Sequence, residues 1–333
     1  MSPTRPIVVA GAGSIGCFVG GMLADAGRKV ALLARRRVIA DIERNGLRLT
    51  SFEGLDRRVP ADRLLLSEDN SVFADAGIIL VTVKSADTAA MADAIVQHAP
   101  RDAVIVSLQN GVGNAAVLRE RLKDWTVLSG MVPFNVLTSG DGHFHRATSG
   151  VIAFERDQAG TADRLSVPDL VVRATDNMAG VQWGKLLLNL NNALNALSGL
   201  PLREQLSQRA WRRLLADQMT EALAAMKAEG VSPVSSTPVP AGLTPHLLRL
   251  PDPLFRALAG STIKIDAHAR SSMWEDLQRG RRTEIDYLQG VILEIAERRG
   301  LKVPLTRRIV ALIRAAETAG KGSPGLTPDQ IRG

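Results

Sequence analysis

Short apolar runs alternate with helical patterns over the first half of the chain. "IVVA", "VALLA", "IILVTV" and "AVIVSL" are β-rich, and "FVGGMLADAG" and "MADAIVQHA" between them carry helical patterns. This rhythm predicts a doubly wound, mostly parallel sheet over residues 7 to about 175. Between residues 43 and 66, "NGLRLTS" and "RRVPADRLLLS" read as a turn and an antiparallel pair inserted after the second strand. Residues 126 to 155 read as further strands with Gly-rich turns, replacing a long crossover helix. After about residue 178 the period changes. "VQWGKLLLNLNNALNALSGL", "RAWRRLLADQMTEALAAMKAEG", "TIKIDAHARSSMWEDLQRG" and "TEIDYLQGVILEIAERRGL" are all helical. The expected organisation is an α/β domain over 1–177, an all-α domain over 178–317 and a polar, flexible tail over 318–333. Six prolines between residues 231 and 253 mark a long loop or insertion.

The first apolar run leads into "GAGSIG", residues Gly11, Ala12, Gly13, Ser14, Ile15 and Gly16. A lone G-x-G-x-x-G is weak evidence, but this one follows a strand and opens a helix. There the glycines make the tight turn and let backbone approach a pyrophosphate at the positive helix end, the Rossmann-type dinucleotide site. The second strand runs into Arg35, Arg36 and Arg37, where an NAD-binding chain would carry an acid for the ribose hydroxyls. A guanidinium at Arg35 suits the 2′-phosphate of NADP, so NADPH is the expected cofactor. Arg36 and Arg37 read equally well as a solvated helix start. Lys84 and Asn110 each follow a sheet strand's carboxyl end, where ligands bind in open α/β folds, and both are cleft candidates.

Composition narrows the partners. The 333 residues are 45% hydrophobic and 23% charged, which is globular and long enough for about two domains. The net charge of +7 (41 − 34) fits an anionic ligand. Aromatics at 4% and dispersed basic residues argue against nucleic acid. No apolar run reaches the ~20 residues of a membrane span, and no signal-peptide pattern precedes "IVVA", so the expectation is a cytoplasmic protein that binds no membrane. Cys17 lies in an apolar helix stretch and reads as core. His98, His143, His145, His246 and His268 form no ligand cluster, so no metal is expected. "VILEIAERRGL" has an apolar face that could serve a homodimer or the monomer's own core.

The second half carries the candidate chemistry. Lys185, Asn189 and Asn192 fall at i, i+4 and i+7 of a leucine-rich helix and form one polar stripe. A lysine amid leucines needs a ligand, a carboxylate or a wet cleft, unless the helix shows a polar face to solvent. Further on, Ser271 and Ser272 read as late in one helix. Glu284 reads as the start of the next, capped by Thr283 and folded back at Gly280. Glu284 is either a helix-start residue favoured by the dipole or the partner that charge-balances Lys185.

"GAGSIG" with a basic second-strand end, "VTVKS", "LQNGVGN", "WGKLLLN" and "SSMWEDLQRGRRTEIDYLQG" occur in that order. In this the chain resembles the ketopantoate reductases (2-dehydropantoate 2-reductases), from "GAGSIG" to about residue 315. The resemblance implies an all-helical second domain like the C-terminal domain of 6-phosphogluconate dehydrogenase, and reduction of 2-dehydropantoate by NADPH. It implies Lys185 as general acid, with Asn189, Ser272 and Asn110 holding substrate or cofactor and Glu284 contacting cofactor and supporting the lysine. Members of the family often carry an asparagine eight positions after the lysine. Here that position is Ala193, and Asn192 on the same face is the expected substitute. Another bulky 2-oxo acid is therefore an open alternative, as is an NADPH-binding sensor without turnover.

Overall fold

The computed structural model describes residues 5–235, 239–259 and 269–333. They divide into two compact units, Met1–Met178 and Ala179–Gly333. Strands of the first unit are β1 (Ile7–Ala10), β2 (Val30–Leu33), β3 (Leu47–Ser51), β4 (Asp56–Val59), β5 (Leu64–Ser67) and β6 (Ile78–Val81), followed by β7 (Val104–Ser107), β8 (Thr126–Met131), β9 (Val136–Gly140), β10 (His143–Arg146), β11 (Ile152–Glu155) and β12 (Val172–Thr175). Its helices are α1 (Ser14–Asp25), α2 (Arg36–Asn45), α3 (Thr88–His98), α4 (Asn114–Arg121) and α5 (Thr161–Leu165).

The main sheet has the order β12-β11-β8-β7-β6-β1-β2-β5. It is parallel except where β11 runs antiparallel to β8. The strands β1, β2 and β6 are buried at every position, as expected of continuous apolar runs covered on both faces. Alternation along each strand splits the core: Val9, Leu32 and Leu80 pack with Phe18, Met22 and Leu23 of α1. Val8, Ala31 and Ile79 pack with Phe73, Ile95 and Leu118 on the other face.

The insertion after β2 differs in part from the sequence reading. β3 and β4 form the antiparallel pair, but β5 leaves it and adds to the main sheet parallel to β2. Pro60, which cannot donate to a ladder, and a 3-10 turn at Ala61–Arg63 separate β4 from β5. A second sheet, β4-β3-β10-β9, lies against α1, so the strands after residue 126 serve both sheets.

The second unit is helical: α6 (Met178–Asn189), α7 (Asn191–Ser198), α8 (Leu202–Ser207), α9 (Arg209–Ala228), α10 (Thr244–Leu248), α11 (Asp252–Ala259), α12 (Ser272–Gln278), α13 (Ile285–Arg299), α14 (Pro304–Ala319) and α15 (Pro328–Arg332). The Pro-rich stretch is anchored from two sides. The Val234 amide donates to the Gly180 carbonyl of α6 at 2.8 Å. The fully buried Arg212 guanidinium of α9 donates to the Leu248 and Leu250 carbonyls and to Asp252, and lies 4.1 Å from the Phe255 ring.

The expectation of a flexible tail over 318–333 is corrected. Residues 328–332 are helical, with a Thr327–Gln330 capping box, and Ile331 is fully buried. The Leu326 amide donates to the Leu197 carbonyl, and Arg332 pairs with Asp217. Low hydrophobicity hid a segment held by one apolar anchor and specific polar bonds. Among the described residues no helix is long and apolar enough to cross a membrane.

Candidate functional site

The glycine loop ends β1 and begins α1. Gly11 has φ +90°, and a Cβ there would stand 2.3 Å from a Val83 methyl, so both conformation and space require glycine. Gly16 lets α1 approach the sheet: an added Cβ would meet Thr82 Oγ1 at 2.7 Å and Val9 at 2.9 Å. Gly13 differs, since a Cβ there would meet nothing nearer than the Gly11 carbonyl at 4.0 Å. Gly13 is exposed, Ser14 and Ile15 are half-buried, and Ala12 is packed beneath them. No side chain caps α1 and its first turn carries no acid, leaving its amides for an anion. An open glycine beside an uncapped helix start fits a dinucleotide's pyrophosphate. The Ser14 hydroxyl is hydrogen-bonded to Thr138 of β9 at 2.8 Å.

Arg35 is the extended residue before α2 and is exposed, whereas Arg36 lies 3.7 Å from Glu68. Lys84 is exposed at the carboxyl end of β6, ahead of a 3-10 turn at Ser85–Asp87. Asn110 is half-buried just beyond β7. These two turns are joined by a polar network that sequence reasoning missed. The Ser85 hydroxyl donates to the Asn110 carbonyl, Asn114 donates to the same carbonyl at 2.7 Å, and Gln109 donates to the Thr88 hydroxyl at 2.7 Å. Ser85, Thr88, Gln109 and Asn114 are all buried, so the network fixes the loops that carry Lys84 and Asn110. Its only sequence signal was the polar run in "SLQNGVGN".

In the helical unit Lys185, Asn189 and Asn192 are each half-buried, as one stripe requires. The stripe bends at Leu190, between α6 and α7. Burial pulls the Lys185 pKa down to about 8, against the opposing charge of Glu284, which raises it. Lysine and carboxylate, about 100 residues apart in sequence, thus interact. Asn191 and Asn195 turn the other way, are buried, and pair with Gln205. Ala193 is fully buried, while the Asn192 carbonyl accepts from Ser271 Oγ at 2.9 Å.

Two local expectations are corrected. Ser271 and Ser272 begin α12 rather than end a helix: Ser271 Oγ accepts from the Trp274 amide. Ser271 is buried, its amide donating to Asn195 Oδ1 at 2.8 Å, and Ser272 is exposed beside it. The serine ahead of an apolar run was the signal for this cap. Nor do α12 and α13 fold onto each other at Gly280; α12 packs on α7, and α13 on α9 and α14. Glu284 is the residue before α13, and Thr283 supplies its hydroxyl to the Ile285 amide at 3.2 Å.

Cys17 is fully buried, and burial pushes its thiol up to about 12, as a core residue's would be. His143 and His145 lie on β10 and share the Thr50 hydroxyl. His268 lies outside the described residues, as does part of the helix expected around it. Among the described residues no group of three metal-ligating side chains occurs.

Two family profiles match the chain: "Ketopantoate reductase PanE/ApbA" over residues 7–158 and "Ketopantoate reductase PanE/ApbA C terminal" over 177–317. A 2-dehydropantoate 2-reductase of Halobacterium salinarum is 32% identical over 323 residues, 94% of this chain and 99% of that protein. Among solved structures, a PanE/ApbA family ketopantoate reductase from Ralstonia eutropha JMP134 matches with a TM-score of 0.80 at 33% identity, covering 95% of this chain and 99% of that one. A D-mandelate dehydrogenase solved with NADH and anilino(oxo)acetate matches with a TM-score of 0.78 at 20% identity, over 95% and 99% of the two chains, a likeness of fold.

Proposed function

The chain belongs to the ketopantoate reductase family, and on that premise we propose that it reduces 2-dehydropantoate to (R)-pantoate with NADPH, a step toward pantothenate and coenzyme A. It is an oxidoreductase acting on a CH–OH group, with a nicotinamide dinucleotide as cofactor. The observation that carries the proposal is the half-buried Lys185 in one polar stripe with Asn189 and Asn192, within the electrostatic reach of the Glu284 carboxylate.

When bound, NADPH supplies the hydride. Gly11 to Gly16 and the start of α1 would hold the pyrophosphate, Arg35 would pair with the 2′-phosphate, and Lys84 and Asn110 would line the same nucleotide site. Reduction of the keto carbon places negative charge on its oxygen. The Lys185 ammonium stabilises that charge and gives up its Nζ proton to the oxygen. Glu284 keeps the lysine charged before that transfer and would also contact a bound cofactor. Asn189, Asn192 and Ser272 would orient the 2-oxo acid, and Asn110 would serve the substrate or the cofactor.

A second substrate reading, another bulky 2-oxo acid, is favoured by Ala193. Its complete burial leaves only Asn192 to stand in for the family's asparagine. NADPH absorbance followed with 2-dehydropantoate and a panel of bulky 2-oxo acids, for wild type and Lys185→Ala, decides both. The expected result is highest kcat/KM on 2-dehydropantoate and a loss of about 10²–10⁴-fold in the alanine variant. Undiminished turnover without the lysine rejects the mechanism, and a better panel acid rejects the substrate.

A further inference from the structure

Two side chains of α14 grip the start of α13 on either side of Glu284. The Glu317 carboxylate accepts from the Thr283 amide at 2.7 Å. Arg314, three residues earlier and so on the same face of α14, donates to Asp286 at 2.7 Å. Residues 283 and 286 thus bracket residue 284 from one helix. Both bonds lie along a polar cavity of about 450 Å³ whose lining includes Arg281, Arg282, Thr283, Asp286, Arg314 and Glu317. Lys185 and Glu284 are not among the residues that line it.

The grip matters because Glu284 is the cap of α13: its carbonyl accepts from the Tyr287 and Leu288 amides, both at 3.1 Å, so the direction of its carboxylate follows the way the start of the helix is held. With φ −95° and ψ 28° it precedes the helix, and Gly280, at φ +60°, lies four residues before it in the turn. A carboxylate's influence on an ammonium falls with distance, so the turn must be held if Glu284 is to act on Lys185 steadily. We propose that Glu317, assisted by Arg314, is a positioning residue for the reaction: it holds the Thr283 amide and so keeps Glu284 where it charge-balances Lys185. The proposal rests on the reading of Lys185 as proton donor. It adds a residue outside the run from Ser271 to Gly290 that carries the resemblance.

The bond needs an acceptor oxygen, not a charge, so the variants separate positioning from bulk electrostatics. Glu317→Gln keeps an acceptor at the same reach and should retain wild-type behaviour. Glu317→Leu removes it. Facing charges are Arg281, Arg282, Arg314 and Asp286, all present in every variant. The pH dependence of kcat/KM is followed for wild type, both variants and Glu284→Gln. In Glu317→Leu the midpoint of the alkaline limb should move down by on the order of half a pH unit or more, and kcat should fall about tenfold with a smaller change in KM. If Glu317→Leu does not fold, Glu317→Asp, which withdraws the oxygen by one methylene, should give an intermediate midpoint. A Leu or Asp midpoint at the wild-type value overturns the proposal, as does a Gln variant as impaired as Leu. A Glu284→Gln midpoint that does not move overturns the underlying reading instead.

Discussion

Arg35 shows how one side chain's setting assigns it a task. It is exposed on extended backbone at the end of β2, and among the described residues no carboxylate lies within ion-pairing distance of it. Its neighbour Arg36 has Glu68 at 3.7 Å. A guanidinium left unneutralised at that strand end is suited to a bidentate contact with a 2′-phosphate. Arg35→Asp should therefore weaken NADPH binding by tenfold or more, since a charge-assisted hydrogen bond contributes about 1.5–3 kcal/mol. It should leave NADH binding equal or stronger. Arg36→Ala should change neither by more than about twofold, because an exposed pair is worth ~0–1 kcal/mol. Fluorescence titration of the two dinucleotides checks both, and an Arg35→Asp variant that still prefers NADPH removes Arg35 from the assignment. This residue was legible in the sequence because its role depends on position along one βαβ unit. Ser271 was not: its amide and hydroxyl bind Asn195 and Asn192, about 76 residues away, and only the fold brings these together.

At the scale of elements, the strands and helices were legible where the apolar pattern was strong, as in the continuous runs of β1 and β6 and the helical period of α9. What it could not show was how a segment without periodicity packs. Val234 in the Pro-rich stretch lays its backbone across α6 at Gly184, the residue before Lys185. A Cβ on Gly184 would stand 1.8 Å from the Val234 carbonyl oxygen and 2.8 Å from its carbon. Helix propensity alone predicts that Gly184→Ala stabilises α6 by about 1 kcal/mol. The contact reverses that sign, because backbone cannot swing aside as a flexible side chain can. Gly184→Ala should destabilise the protein by roughly 2 kcal/mol or more, within the 1–3 kcal/mol range of overpacking. Gly290→Ala is the control: α13 offers its Cβ ordinary contacts of 3.5 Å or more, so propensity should win. Urea denaturation distinguishes the two substitutions. A Gly184→Ala protein as stable as wild type would mean that the Pro-rich segment does not rest on α6.

At the scale of the molecule, each unit has its own core, and the last residues of the chain belong to the helical one. Composition hid this, because a segment with one deeply buried apolar side chain has the overall polarity of a disordered tail. What orders it is connectivity. Leu326 is bonded to the end of α7, Arg332 to Asp217 of α9, and Arg308 of α14 donates to the Ile331 carbonyl. Three helices distant in sequence are thereby tied at one point, with Ile331 sealed beneath. Replacing Ile331 with Ala removes buried methyl groups without a new charge, and a buried isoleucine truncated to alanine costs about 2–5 kcal/mol. The loss should be local, since stability is not uniform across a structure and the bonds of this segment run to α7, α9 and α14. Hydrogen exchange on Ile331→Ala should therefore show faster exchange at α7, α9 and α14. Protection of β1, β2 and β6 and affinity for NADPH should stay at wild-type values. Unchanged exchange in all three helices would return residues 318–333 to the status of a flexible tail. Exchange raised equally in the sheet would mean that the two units unfold as one.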